Sequence, residues 1–91
     1  MLPVNWKIKA QDDLAEIIDY IEQRNASAAL DLYQTIVQTA ENLPSMPYLF
    51  RRGRVPGTRE CVVHPNYVLV YHVGAQAIEV LRVLHSRQRY P

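Results

Sequence analysis

The apolar positions change their period several times along this chain, and each change marks an element. Between Leu2 and Ile8, Val4, Trp6 and Ile8 alternate with Asn5 and Lys7, a short run bounded by Pro3 that predicts a first strand. From Ala10 to Arg24 the period lengthens. Leu14, Ile17, Ile18 and Ile21 fall at i, i+3, i+4 and i+7, the stripe of an amphipathic helix. Asp12 and Asp13 sit in its expected first turn, where the helix dipole favours negative charge. Asn25 is a stop signal, and Ser27 is the expected N-cap of the next helix. That second helix is expected from about Ala28 to Leu43, with Leu30, Tyr33, Ile36, Val37, Ala40 and Leu43 on one face; Pro44 and Pro47 end it. A connection this short makes the two helices an antiparallel hairpin.

Met46 to Gly57 reads as a loop, because Pro47, Gly53, Pro56 and Gly57 exclude regular structure. Within it, Phe50-Arg51-Arg52-Gly53-Arg54 sets three charges beside an aromatic residue that can anchor in the core. Three strands follow at Thr58–Val63, Tyr67–Val73 and Ala77–Leu84, separated by His64-Pro65-Asn66 and by a turn at Val73-Gly74-Ala75-Gln76. The order β-α-α-β-β-β gives an α+β fold: an N-terminal helix hairpin packed on a small, mostly antiparallel sheet, with the first strand pairing at one edge.

Length and composition narrow the class. At 91 residues the chain is expected to form one domain, and 48% hydrophobic content suffices for one layer of helix on sheet. No run approaches the ~20 apolar residues of a membrane span, and Met1 to Lys7 lacks the order of a signal peptide. A single cysteine forms no internal disulfide and suggests no metal site. The cytoplasm is the expected location, and no cofactor is expected.

Charge changes the picture through its distribution. The net charge is only +1, yet Met1 to Ser45 carries seven acids against three bases, whereas Met46 to Pro91 carries seven arginines against two glutamates. Every basic residue of the second half is arginine: Arg51, Arg52, Arg54, Arg59, Arg82, Arg87 and Arg89. Arginine suits planar, bidentate contact with phosphate or carboxylate. An anionic partner on this half, nucleic acid or an acidic protein segment, is one reading; a merely polarised surface is the other.

The polar groups able to do chemistry also gather late in the chain. No nucleotide-binding glycine loop, metal-ligand spacing or nucleophile elbow is present. Glu60 and Glu79 read as solvated or salt-bridged strand residues, His72 as a strand-surface residue, and His64 as part of a turn. His85 ends the last strand, two residues before Arg87 and five before Tyr90. An imidazole, guanidinium groups and a phenol together can cleave RNA without metal. One group takes the 2′-hydroxyl proton, arginines stabilise the pentacoordinate phosphorane, and another group protonates the leaving 5′-oxygen. Arg59 and Arg82 would add to the phosphate clamp or pair with Glu60 and Glu79. Equally, His85 can serve as a strand-terminal cap bonded to backbone.

Two stretches make the reading more specific. Arg59-Glu60-Cys61-Val62-Val63-His64-Pro65-Asn66-Tyr67-Val68-Leu69-Val70-Tyr71 and Ile78-Glu79-Val80-Leu81-Arg82-Val83-Leu84-His85-Ser86-Arg87 resemble the RelE/ParE superfamily of toxins. The resemblance covers nearly the whole chain, since that family also opens with a strand and a helical hairpin containing an Asp-Leu pair near Asp13-Leu14. The Arg-Val-Leu-His ending followed by Arg87 is closer to the ParE branch. The resemblance implies the toxin of a type II toxin–antitoxin module, neutralised by a cognate antitoxin whose acidic C-terminal segment folds onto an apolar groove of the toxin. ParE-like members inhibit DNA gyrase; RelE-like members are ribosome-dependent mRNA endonucleases. Cys61 and Val68 stand where RelE proteins carry basic residues, which places gyrase ahead. On the nuclease alternative His85, Arg87 and Tyr90 are the catalytic candidates with Arg59 in support. On either alternative Arg51, Arg52, Arg54, Arg82 and Arg89 are candidates for partner or nucleic-acid contact.

Overall fold

The first strand is short because a proline and a helix close in on it from both sides. The computed structural model describes residues 1–90. In it β1 covers only Val4–Trp6 and α1 starts at Ile8. β1 lies parallel to the last strand, β5 (Ile78–His85), with Val4 opposite Ile78 and Trp6 opposite Val80. The ladder begins at the Pro3 carbonyl, which accepts from Ile78 N–H (2.9 Å), and ends at Lys7 N–H, which donates to Val80 O (2.9 Å). Proline's missing N–H is harmless there, because only its carbonyl is needed.

α1 spans Ile8–Glu22 and α2 spans Ala26–Asn42. Asn25 joins them in two ways. Its N–H donates to Ile21 O (2.7 Å), closing α1, and its side chain accepts from Ala28 N–H (3.0 Å), capping α2. The cap is therefore Asn25, not Ser27. Because α1 begins earlier than expected, Asp12 and Asp13 lie beyond its first turn and the dipole argument for them does not hold. In α2 the buried stripe is Ala29, Leu32, Ile36 and Ala40, continued by Leu43. Leu30 and Tyr33, expected inside, are exposed. Small Ala29 and Ala40 let the helix approach its neighbours closely, which turns the bulkier pair outward.

A 3₁₀ turn at Leu43–Ser45 ends the hairpin. The loop expected beyond it contains a two-residue strand, β2 (Arg51–Arg52), antiparallel to β3 (Arg59–His64). Gly53 and Gly57 make this hairpin feasible. Gly57 has φ of +85°, and a Cβ on Gly53 would clash with Thr58 Oγ1. With β4 (Tyr67–Val73) the sheet has five strands in the order β1-β5-β4-β3-β2, antiparallel except for the β1–β5 pair. The α+β class and the edge position of β1 follow the expectation. The extra strand escaped notice because two arginines carry no periodic signal.

The core lies between hairpin and sheet. Leu14, Leu32, Ile36 and Leu43 from the helical side meet Leu69, Tyr71, Val80 and Val83 from the strands. A bulge leaves Leu81 without a partner on β4, so Val80 and Val83 both join this core although three positions apart. Strand alternation puts Val68, Val70 and Leu84 on the opposite face, where they are also buried. No helix of the structure is long and apolar enough to cross a membrane.

Candidate functional site

The seven arginines of the second half separate into those that hold the fold and those left to solvent. Arg82 belongs to the first group. Its Nε and Nη2 donate to Asp13 Oδ2 and Oδ1 at 2.7 and 3.1 Å, and Asp13 Oδ2 also accepts from Val83 N–H at 3.0 Å. The cause lies in the sheet. β1 ends opposite Val80, so β5 continues past it with an unpaired edge, and the buried carboxylate of α1 satisfies the next inward amide. The same hydrogen bond to Asp13 raises the Arg82 pKa further, although partial burial opposes it. Asp13 carried two sequence signals, a place in the expected first turn of α1 and the Asp-Leu pair, and neither pointed to a partner on β5.

Arg51 is paired as well. Its Nε and Nη2 both reach Glu60 Oε1, at 3.0 and 2.9 Å, directly across the β2–β3 ladder. Glu60 Oε2 is buried and unpartnered among the described residues. Glu79 pairs with Lys7 at 2.9 Å. Both strand glutamates are thus salt-bridged, but to Arg51 and Lys7, not to Arg59 and Arg82.

Arg59 is a clamp on the loop before β2. Its Nη1 donates to Phe50 O (2.8 Å) and Tyr48 O (3.3 Å), and its guanidinium lies 5.1 Å from the Tyr48 ring centroid. Beside it, the buried Tyr71 hydroxyl donates to Pro47 O at 2.7 Å. Burial pushes the Tyr71 phenol up, partly offset by the Arg59 charge. Arg52, Arg54, Arg87 and Arg89 remain exposed.

The proposed catalytic set does not converge. His85 pairs with Tyr67 at one end of the β4–β5 ladder, whereas Arg59 is opposite Tyr71. Four residues of strand at about 3.3 Å each separate those positions by ~13 Å. The Tyr90 ring lies 5.3 Å from the Arg54 guanidinium, and its hydroxyl is buried without a partner among the described residues. His85 therefore has neither Arg59 nor an available Tyr90 phenol beside it. Its own surroundings are aromatic and local. Tyr67 meets it edge-on at 5.6 Å, and His64 lies 5.7 Å from Tyr67 on the other side. Nδ1 of His85 accepts from Arg87 N–H (3.1 Å), so the neutral ring carries its proton on Nε2. That bond is the backbone-capping role. The ring also borders a polar cleft of about 560 Å³ with Lys9, Glu16, Tyr20 and Arg82.

His64 likewise caps a turn, accepting from Asn66 N–H at 3.1 Å, and His72 bonds to Gly57 O at 2.8 Å. Among the described residues no group of three or more His, Cys, Asp or Glu side chains is placed to hold a metal ion. The lone Cys61 is buried, and burial raises its thiol pKa.

A more apolar concavity lies elsewhere. A groove of about 660 Å³ runs between the helices, walled by Trp6, Leu14, Ala15, Ile18, Tyr33 and Val37 and edged by Asp19 and Glu22. The outward turn of Tyr33 creates one of its walls.

Comparison with known proteins matches this architecture. A family model described as the ParE toxin of the type II toxin–antitoxin system parDE matches residues 4–90. Y4kP of Sinorhizobium fredii is 32% identical over 89 residues, covering 97% of this chain and 92% of that protein. Toxin RelE2 of Caulobacter vibrioides is 34% identical over 88 residues, covering 94% and 97%. A solved chain of the chromosomal ParDE TA system from P. aeruginosa has a TM-score of 0.83 at 26% identity, covering 93% of this chain and 96% of that one. A family match this long, with relatives above 30% identity along nearly their whole length, means that the chain belongs to the ParE toxin family of type II toxin–antitoxin systems.

Proposed function

We propose that this toxin arrests growth by binding DNA gyrase and that a cognate antitoxin silences it. The observation that carries the choice of target is the dispersal of the candidate catalytic groups. Arg59 and Arg82 are committed to the loop carbonyls and to Asp13, the Tyr90 hydroxyl is buried, and His85 stands apart from Arg59. Phosphoryl chemistry on RNA needs an acid, a base and charge stabilisation on one phosphate. A toxin that works by binding has no such requirement. The match to the ParE family over residues 4–90 supports the same choice.

The antitoxin reading rests on the groove and the charges. An amphipathic segment can lay its apolar face against Trp6, Ile18 and Tyr33. Its acids would meet the exposed Arg87 and Arg89. A solved relative belongs to a ParDE toxin–antitoxin system.

A second reading, ribosome-dependent mRNA cleavage, has one observation in its favour: His85 lines a polar cleft with Lys9, Tyr20 and Arg82. One pair of assays separates the two. Purified toxin added to a gyrase supercoiling reaction should block supercoiling, and added to ribosomes translating a defined message it should leave the message intact. Message cut in the ribosomal A site, with supercoiling untouched, would replace the gyrase reading with the nuclease one.

A further inference from the structure

The segment between the helix hairpin and β2 exposes apolar side chains in a way that loops ordinarily avoid. Met46, Tyr48 and Leu49 are 45%, 66% and 66% exposed, within a stretch of four residues. A slack loop would turn such groups inward. Here the backbone is held the other way round. The carbonyls of Pro47, Tyr48 and Phe50 accept from Tyr71 Oη and Arg59 Nη1, and Phe50 packs against the core. With its carbonyls tied to the body of the protein, the segment presents Tyr48 and Leu49 to solvent in a fixed shape. Arg52 and Arg54 follow immediately, both exposed. A tyrosine with aliphatic neighbours and a rim of arginines is the composition of a protein-binding hot spot, and its fixed backbone removes part of the ordering cost of binding.

We infer that Met46–Arg54 is a preformed docking epitope for the toxin's target, a folded protein that offers an apolar pocket rimmed by carboxylates. This rests on the reading of the chain as a binding toxin but not on gyrase being the target. The α1–α2 groove is a separate surface. Trp6 of β1 lines it at one edge of the sheet, whereas the epitope leads into β2 at the other. Arginines beside the apolar tip favour an acidic rim on the partner, and the apolar tip itself favours protein over nucleic acid, whose backbone offers only phosphate charge and sugar.

The test expresses the toxin from a titratable promoter with and without its antitoxin and measures the toxin level that halves growth. Leu49→Ser, at an exposed position, should raise that level about tenfold or more while antitoxin affinity and melting temperature stay unchanged. Met46→Ser supplies a second variant outside the Arg59 and Tyr71 contacts, and Arg52→Glu should weaken growth arrest as well. Unchanged toxicity in both serine variants overturns the inference. So does a parallel loss of antitoxin binding, which would make the segment part of the antitoxin's seat. Loss of toxicity in Arg52→Glu with Leu49→Ser unaffected points to a nucleic-acid partner and also overturns it. So would wild-type dimers that Leu49→Ser converts to fully toxic monomers, since the epitope would then be a self-contact. Because growth is the readout, a wild-type toxin that leaves supercoiling untouched refutes the gyrase reading while the variants still judge the epitope.

Discussion

Asp13 and Arg82 are 69 positions apart in sequence and form the bidentate ion pair that fastens α1 to β5, at 2.7 and 3.1 Å. The carboxylate also accepts the Val83 amide, so it satisfies two donors at once. Removing it leaves a partly buried guanidinium and a strand amide without partners. Asp13→Ala should therefore cost about 3 kcal/mol, within the range for breaking a buried pair. Asp13→Asn keeps an oxygen for the amide and should cost less. Urea denaturation of both variants checks the order, and equal losses would mean that the Val83 contact contributes nothing.

The Arg59 clamp predicts a local effect. Arg59→Ala removes two hydrogen bonds to loop carbonyls and the contact with the Tyr48 ring. The expected loss of global stability is modest, about 1–2 kcal/mol. Amide exchange in residues 46–52 should accelerate far more than exchange in α1. Equal acceleration throughout would show that Arg59 supports the whole fold and not the segment.

These two pairs mark where sequence reading reaches its limit. The helices were legible because Leu14, Ile17, Ile18 and Ile21 repeat at helical spacing, and β3, β4 and β5 because Val and Tyr runs are punctuated by Pro65 and Gly74. The exact face of α2 was not. Larger apolar area favours Leu30 and Tyr33 over Ala29 as core residues, yet close approach of packed elements selects the small side chain. Candidate arginines were identified by type alone, and type does not reveal which are already occupied. Arg51, Arg59 and Arg82 find their partners through strand register and the end of β1, properties of the assembled sheet. Tyr90 follows His85 by five positions in the sequence, but its ring ends up beside Arg54.

Alkaline pH should weaken the fold. Burial raises the Cys61 thiol above its ordinary 9.0 and the Tyr71 phenol above its ordinary 10.0. Below pH 9 both groups are protonated in folded and unfolded chains alike, and their contribution is complete. As pH rises through 9 and then 10, the unfolded chain releases protons that the folded chain retains, so stability falls. Denaturation midpoints measured from pH 7 to 11 should decline over that window. Tyr71→Phe should flatten the upper part of the decline, while losing about 1 kcal/mol at pH 7 with the bond to Pro47 O. An unchanged alkaline slope in that variant would remove Tyr71 from the account.

The groove between the helices yields the sharpest functional prediction. Tyr33 is 45% exposed and forms one wall, so replacing it should leave the core intact. Tyr33→Asp puts a charge where the antitoxin's apolar face would sit, beside Asp19 and Glu22, which are already there. An aromatic residue at the centre of an interface typically contributes 2 kcal/mol or more, so antitoxin affinity should drop by ~30-fold or more. Growth inhibition by the free variant should persist, because the proposed target epitope lies at the far edge of the sheet. Co-expression then gives the decisive readout: the antitoxin rescues cells making wild-type toxin and fails with Tyr33→Asp. Full rescue would place the antitoxin elsewhere, and loss of toxicity without antitoxin would mean that groove and target surface are one.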